Sequence, residues 1–513
     1  MPDDDGDRMS TGRLFATARA ATLTAHPRPR QMSQPIRVRR GVHALTTSDP
    51  WPDTLLWYAR AVAELRSRSE ADPDDPTGWT YMAAIHGNQS DDGTSRRGDP
   101  FNQCQHTTWY FLPWHRVYLH YFEGVVRDAI ASMGGSAEWA LPYWDYSDPG
   151  RAGARALPQA FRDRQWPGDG DNPLFTEKRD AAVNGGGELP APVVDIVRAL
   201  SSRRYENSRG GTKAEFGGPR TPWVHFGRGF TVGLVENVPH NYVHGAVGGP
   251  GGWMSDPRTA ALDPIFWLHH ANVDRLWEVW RGLGEGRQDT ADAAWRNESF
   301  RVGGGPLGVD LSPAAIVDTG APPLGYRYDD VSVPDAVRAQ LPPPPDSPFT
   351  MAAPDVDRPA EMVGATEAPI PLASRPTSAS VPTERAAGPA AFGAAPRSGP
   401  DEVILQVENV TGSDPVATAY AVYVNLPEGA DPREHEDREA GRLALFGLPQ
   451  ASNPDGAHAG SGLTFAFDIT DVARRLAEAG DWDPDGVRVT FVPDDERAPD
   501  ADVTVGRVSV HHV

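Results

Sequence analysis

The chain has 513 residues, 39% of them hydrophobic, which is enough for more than one domain with a real core. Its formal net charge of −22 argues against nucleic acid or an anionic membrane as the main partner, and no run of about 18 apolar residues offers a membrane span. Cys104 is the one cysteine, so no intramolecular disulfide forms, and 52 glycines with 50 prolines point to long connections.

Residues 1–40 begin acidic and become Arg-rich (Arg28, Arg30, Arg37, Arg39, Arg40) without the apolar core of a secretory signal. They are expected to be a disordered arm on a cytoplasmic protein. The first helix is predicted over 52–68, where Leu55, Leu56, Tyr58, Ala59, Val62 and Leu65 mark one face. A short helix over 79–85 runs into His86. After a polar loop, 88–100, come Cys104 and His106, then F-L-P-W-H-R-V-Y-L-H-Y-F-E. Pro113 belongs at a helix start, where its missing N–H costs nothing, and this puts His115 in the first turn. His120 points elsewhere and reads as a packing or surface histidine. His225 stands alone after P-W-V. In E-N-V-P-H-N-Y-V-H, His240 and His244 are one turn apart and leave the same helix face. His269 and His270 follow I-F-W-L, and only one of two neighbours can turn that way. Two trios result: His86, His106 and His115, then His240 and His244 with one of the adjacent pair. Three neutral imidazoles with open positions suit copper, zinc or iron. Two such metals side by side suit dioxygen; structural zinc takes closed four-ligand sets with thiolates.

These stretches resemble the type-3 dicopper proteins of the tyrosinase and polyphenol oxidase family. The resemblance is carried by His86, C-Q-H at 104–106 and F-L-P-W-H-R at 111–116. It continues through L-P-Y-W-D-Y at 141–146, E-N-V-P-H-N-Y-V-H at 236–244, D-P-I-F-W-L-H-H-A-N-V-D-R-L-W at 263–277 and Y-R-Y at 326–328. It implies a mainly α catalytic domain over 41–330, a four-helix bundle with long loops holding two copper ions, with O2 as co-substrate. In that family the histidine of H-A-N-V-D is the ligand, which assigns His270 and leaves His269 as a packed neighbour. Asp274 and Trp277 recur on the same face as His270. The C-x-H spacing implies a thioether between Cys104 and His106. Glu236 and Asn241 resemble a water-holding pair that deprotonates incoming phenols; a phenol with a pKa near 10 needs such a base. Pro257 falls at the gate position, where many plant enzymes carry Phe.

Composition changes after the catalytic domain. P-P-P-P at 342–345 and Ala/Pro/Ser/Thr-rich sequence read as a linker over 331–401. Strand alternation returns over 402–513, in V-I-L-Q-V-E-N-V, Y-A-V-Y-V-N, T-F-A-F-D-I, V-R-V-T-F-V and V-T-V-G-R-V-S-V, with one short helix over 470–479. An all-β sandwich or barrel of six or seven strands is expected. The resemblance extends to the plant C-terminal domain that covers the copper site. Phe446 or Leu448, in A-L-F-G-L-P-Q, is its plug. The activity implied is ortho-hydroxylation of small monophenols and oxidation of o-diphenols to o-quinones, latent until a protease cuts the linker. A catechol oxidase, an o-aminophenol oxidase and a hemocyanin-like O2 carrier share the same ligands; the single dicopper unit argues against the carrier.

Overall fold

Five helices frame the N-terminal domain, each where apolar residues recur with helical spacing. The computed structural model describes residues 36–88, 100–208, 211–225, 227, 229–343, 360–383, 402–416, 418–455, 460–483, 486–494 and 502–513. Helix α1 spans Asp53–Ala71, α2 Trp79–His86, α3 Phe111–Ser132 and α5 Pro264–Gly282. Helix α4 joins a first part, Glu236–Asn241, interrupted at Val238 (φ −135°, ψ 121°), to a regular part, Tyr242–Gly248. α1 buries the face expected of it: Leu55, Tyr58, Ala59, Val62 and Leu65. α3 and α5 are buried nearly all round, as befits helices at the centre of a domain. They meet through Phe122 and Trp267, stacked with ring centroids 3.5 Å apart. Asp263 caps α5 by accepting from the Ile265 amide, and Pro264 occupies the first turn. α3 starts at Phe111, ahead of Pro113, so His115 lies in its second turn and not its first. Among the described residues, no helix is long and apolar enough to cross a membrane.

The expected disordered arm ends too late at residue 40. Residues 1–35 lie outside the described residues, but strand β1, Arg37–Arg39, pairs in parallel with β2, Tyr326–Tyr328. Arg39 is fully buried. It donates to Glu123 of α3 at 2.5 and 2.9 Å, to Asp274 of α5 at 3.2 Å and to the Tyr328 hydroxyl at 3.0 Å. An Arg-rich stretch reads as solvated until its partners are known, and these carboxylates lie 84 and 235 residues downstream. Asp274 also accepts from Arg116 at 2.5 Å and from Tyr326 at 2.6 Å. Burial alone would raise its carboxyl; Arg116 and Arg39 outweigh that and hold it below the usual range. Arg39→Met should therefore destabilise the chain by about 3–5 kcal/mol, because two buried carboxylates lose a partner. Urea unfolding tests this, and a loss under about 1 kcal/mol would show that the network is structurally dispensable.

The C-terminal domain is a sandwich of two open antiparallel sheets. Its strands are β3 Glu361–Ala365, β4 Ile370–Leu372, β5 Thr377–Pro382, β6 Val403–Gly412, β7 Ala419–Val424, β8 Glu439–Ala444, β9 Leu463–Asp468, β10 Gly486–Pro493 and β11 Val503–His512. One sheet runs β8–β7–β10–β5 and the other β9–β6–β11–β3, with β4 also on β11. Leu405, Val422, Phe465, Val489 and Val508 fill the space between them. Neither sheet closes on itself, so the sandwich and not the barrel is the outcome. Three of these strands, β3 to β5, lie inside the segment 331–401 read as a linker. They escaped notice because β3 and β5 are edge strands that bury one residue each, Val363 and Val381.

Candidate metal centre

Six imidazoles form two facing triangles. In the first, ring centroids of His86 (end of α2), His106 (the loop before α3) and His115 (α3) lie 5.3, 5.6 and 5.4 Å apart. In the second, His240 and His244 (α4) and His270 (α5) lie 4.6, 4.9 and 5.4 Å apart. The triangles touch through His115 and His270, stacked at 4.5 Å, and through His106 and His240 at 5.6 Å. All six predicted ligands thus converge, and all are buried.

Most of these rings are held from behind through Nδ1. His86 Nδ1 donates to the Pro257 carbonyl at 3.0 Å, His115 Nδ1 to Phe111 at 2.7 Å and His244 Nδ1 to Met254 at 2.8 Å. His240 Nδ1 donates to Asn241 Oδ1 at 2.8 Å. That fixes a tautomer whose Nε2 lone pair faces inward. Nε2 of His115 and of His240 is buried without a hydrogen-bond partner, a costly arrangement unless an ion takes it up. Nε2 of His244 lies 3.3 Å from Nε2 of His270. Burial, reinforced by the neighbouring imidazoles, pushes the pKa of His106, His115, His244 and His270 well down, and burial takes His240 to about 3. Neutral imidazoles are the form that binds metal, and an all-nitrogen set with open positions fits two copper ions.

The remaining predicted residues sort less evenly. Glu236 is buried beside His106, accepting from the Thr107 amide at 2.7 and 3.0 Å. Burial pushes its carboxyl up to about 8. Asn241 is bound to His240, so the two members of the expected pair hold different partners. The Cys104 sulfur is buried, 3.5 Å from His225 Nδ1, and its potential ligand atom lies within 4.8 Å of those of His86 and His106. His225, passed over in the sequence, therefore packs against the trio; its backbone carbonyl also accepts from the His106 amide at 3.1 Å. Pro257 is buried behind His86 and holds it by the carbonyl, a support for the first trio and not a gate over the second. His269 also faces the second triangle, with centroids 5.4 Å from His240 and 4.9 Å from His244.

The sandwich sits on this centre. Residues Ile36–Val513 cluster as one unit. Phe446, in the turn after β8, stacks on His244 with centroids 4.1 Å apart and meets His106 and His240 edge-on at 5.6 and 5.7 Å. Gly447 follows at φ +79°, a turn open to glycine that sends the chain back. Leu448 returns to the sandwich core, so of the two plug candidates Phe446 alone reaches the imidazoles. β8 is an edge strand, and the Asn237 side chain of α4 pairs with its backbone, donating to Arg442 O at 2.8 Å and accepting from Ala444 N at 3.2 Å. Lys213 reaches Glu402 at 2.5 Å and Asp468 at 3.1 Å, and Tyr242 donates to Asp494.

Residues 76–283 match the common central domain of tyrosinase, and 359–513 match a domain of unknown function. The chain is 36% identical over 489 residues to a tyrosinase of Hahella sp. (strain CCB-MM4), covering 90% of this chain and 97% of that one. It is 25% identical over 507 residues to the latent form of a chloroplastic polyphenol oxidase of Prunus armeniaca, covering 94% and 76%. Among solved structures, latent apple tyrosinase aligns with a TM-score of 0.60 at 22% identity, over 93% of this chain and 97% of that one, a likeness of fold.

Proposed function

The chain belongs to the tyrosinase family of copper-dependent phenol oxidases, and from that premise we propose that it converts small monophenols to o-quinones through the o-diphenol, and is latent while its sandwich stays docked. The carrying observation is the pair of facing imidazole triangles. His86, His106 and His115 hold one copper and His240, His244 and His270 the other. When bound, the copper pair would activate dioxygen, whose four-electron reduction matches the four electrons a monophenol loses on becoming the o-quinone; a diphenol loses two. The balance is one monophenol and one O2 giving one o-quinone and one water; a diphenol needs half an O2 for the same quinone and a water.

The protein's part is to orient the ring and move a proton. The phenol lies where Phe446 now stacks, its face against His244. Its hydroxyl proton passes to Glu236, which is tied to the Thr107 amide and does not swing away. Burial alone keeps that carboxyl protonated near neutrality, but two dications beside it favour the carboxylate, the form that accepts a proton. Asn241 keeps the His240 tautomer. The thioether between Cys104 and His106 fixes the plane of that ring; the mass of a tryptic peptide spanning both residues reads its presence directly. Glu236→Gln removes the base and keeps the shape. It should lower monophenol turnover by about 10²-fold and diphenol turnover far less, because a diphenol ionises more readily. Initial rates with tyrosine and catechol on copper-loaded, lid-released protein measure this, and equal losses on both substrates take Glu236 out of the role.

A further inference from the structure

The second triangle has a fourth imidazole that the three-ligand assignment does not use. The nitrogen donors of His240, His244, His269 and His270 all lie within 4.8 Å of one another. An imidazole nitrogen sits about 2.0–2.1 Å from a first-row ion, so two donors to one ion are at most about 4.2 Å apart. The four therefore close on a single ion with side-chain shifts under about 1 Å. His269 is fully buried, and its Nε2 has no hydrogen-bond partner. Its Nδ1 lies 3.0 Å from the Tyr146 hydroxyl. With the proton on Nδ1 donated to the Tyr146 oxygen, the Nε2 lone pair of His269 faces His240 and His244, the same arrangement that presents the assigned ligands. His270, meanwhile, stands between the sites: its donor also lies within 4.8 Å of those of His86 and His115.

We infer that His269, positioned by Tyr146, is a fourth imidazole donor at the second copper, closing the site during loading or whenever another donor lets go. The first site has no fourth imidazole of its own among the described residues: its further donors are Cys104 and His270, and His270 is shared with the second site. The second site should therefore tolerate loss of one histidine better than the first. The inference rests on the two-copper reading, and the test keeps them apart.

Apo-protein is loaded with copper alone, dialysed, and its copper per chain counted; affinity is read by competition with a chromophoric copper(I) chelator. Wild type should hold two coppers; any other count sinks the two-copper reading itself. His270→Ala should still hold two, the second about 10–100-fold weaker, and the His269→Ala/His270→Ala double one. His269→Phe, with all assigned ligands present, should weaken the second copper about tenfold, and Tyr146→Phe, which removes only a hydroxyl, should weaken it in the same direction. If His270→Ala holds one copper while its circular dichroism matches wild type, or if His269→Phe leaves copper affinity unchanged, His269 is packing and the inference is wrong.

Discussion

His86→Ala will bind one copper per chain instead of two and will not oxidise catechol above the rate of copper-free protein. His86 belongs to both donor sets around the first site, the one with Cys104 and His106 and the one with His115 and His270. Removing it leaves His106 and His115 as the first site's own imidazoles, with only the Cys104 sulfur and the shared His270 nearby, a set that should lose its ion to a chelator. One remaining copper exchanges one electron between its common states, whereas catechol gives up two on becoming a quinone. The fold should survive, because stranding the Pro257 carbonyl costs about 1–3 kcal/mol. Copper analysis and oxygen uptake on the same folded sample decide the matter. Two coppers retained, or catechol turnover within a few-fold of wild type, would remove His86 from the centre.

Local pattern made the helices and the ligands readable, and long-range pairing hid the rest. α1 and α2 follow from apolar spacing; α5 is marked locally as well, by Asp263 at its N-cap and Pro264 behind it, signals left unread at the sequence level. The histidine spacings are local too, so both trios were legible, with the choice of His270 over His269 coming from the family resemblance, and all six rings converge. The strands β6, β7, β9, β10 and β11 were legible because each sends apolar residues into the sandwich core, though β7 is buried on both faces. β3 and β5 are sheet edges with little to bury, and no local signal separates them from a linker. Arg39 and Asn237 carry no signal at all. Each is an ordinary polar residue whose meaning comes from partners far away in sequence, carboxylates for Arg39 and a strand backbone 205 and 207 residues on for Asn237. Phe446 and Leu448 look alike in sequence. Only the turn at Gly447 turns one to the imidazoles and the other to the sandwich.

Removing the lid contact should raise activity without changing copper content. Phe446 occupies the place beside His244 where the phenol ring is proposed to lie, and the ring is buried there. Burying such a ring is worth about 1.5–3 kcal/mol, so Phe446→Ala in the uncut chain should raise kcat/KM for catechol about 10–100-fold. Asn237→Ala should act in the same direction by freeing the backbone of β8. Cutting within 344–359 leaves β3 to β5 with the sandwich they pair with. It converts an intramolecular contact of about millimolar effective concentration into a bimolecular one, so activation should grow as the cut protein is diluted. Acid acts at the Lys213 contact, where Glu402, Asp468 and Glu215 face one ammonium. Burial alone would raise the Asp468 carboxyl, but Lys213 holds it below its ordinary value. A depressed carboxyl stabilises the docked form above its unfolded pKa of about 3.9, and that stabilisation is lost as pH falls through the folded value. The Lys213 side is raised, so its contribution is complete below about 10.5 and fades only above it. The docked form should therefore hold from about pH 4 to 10, and brief exposure below pH 4 followed by assay at neutrality should activate the uncut chain. Asp468→Asn should abolish part of that acid response. If Phe446→Ala, the cut protein and the uncut chain all turn over catechol at one rate, the sandwich is an appended module with no hold on the copper site.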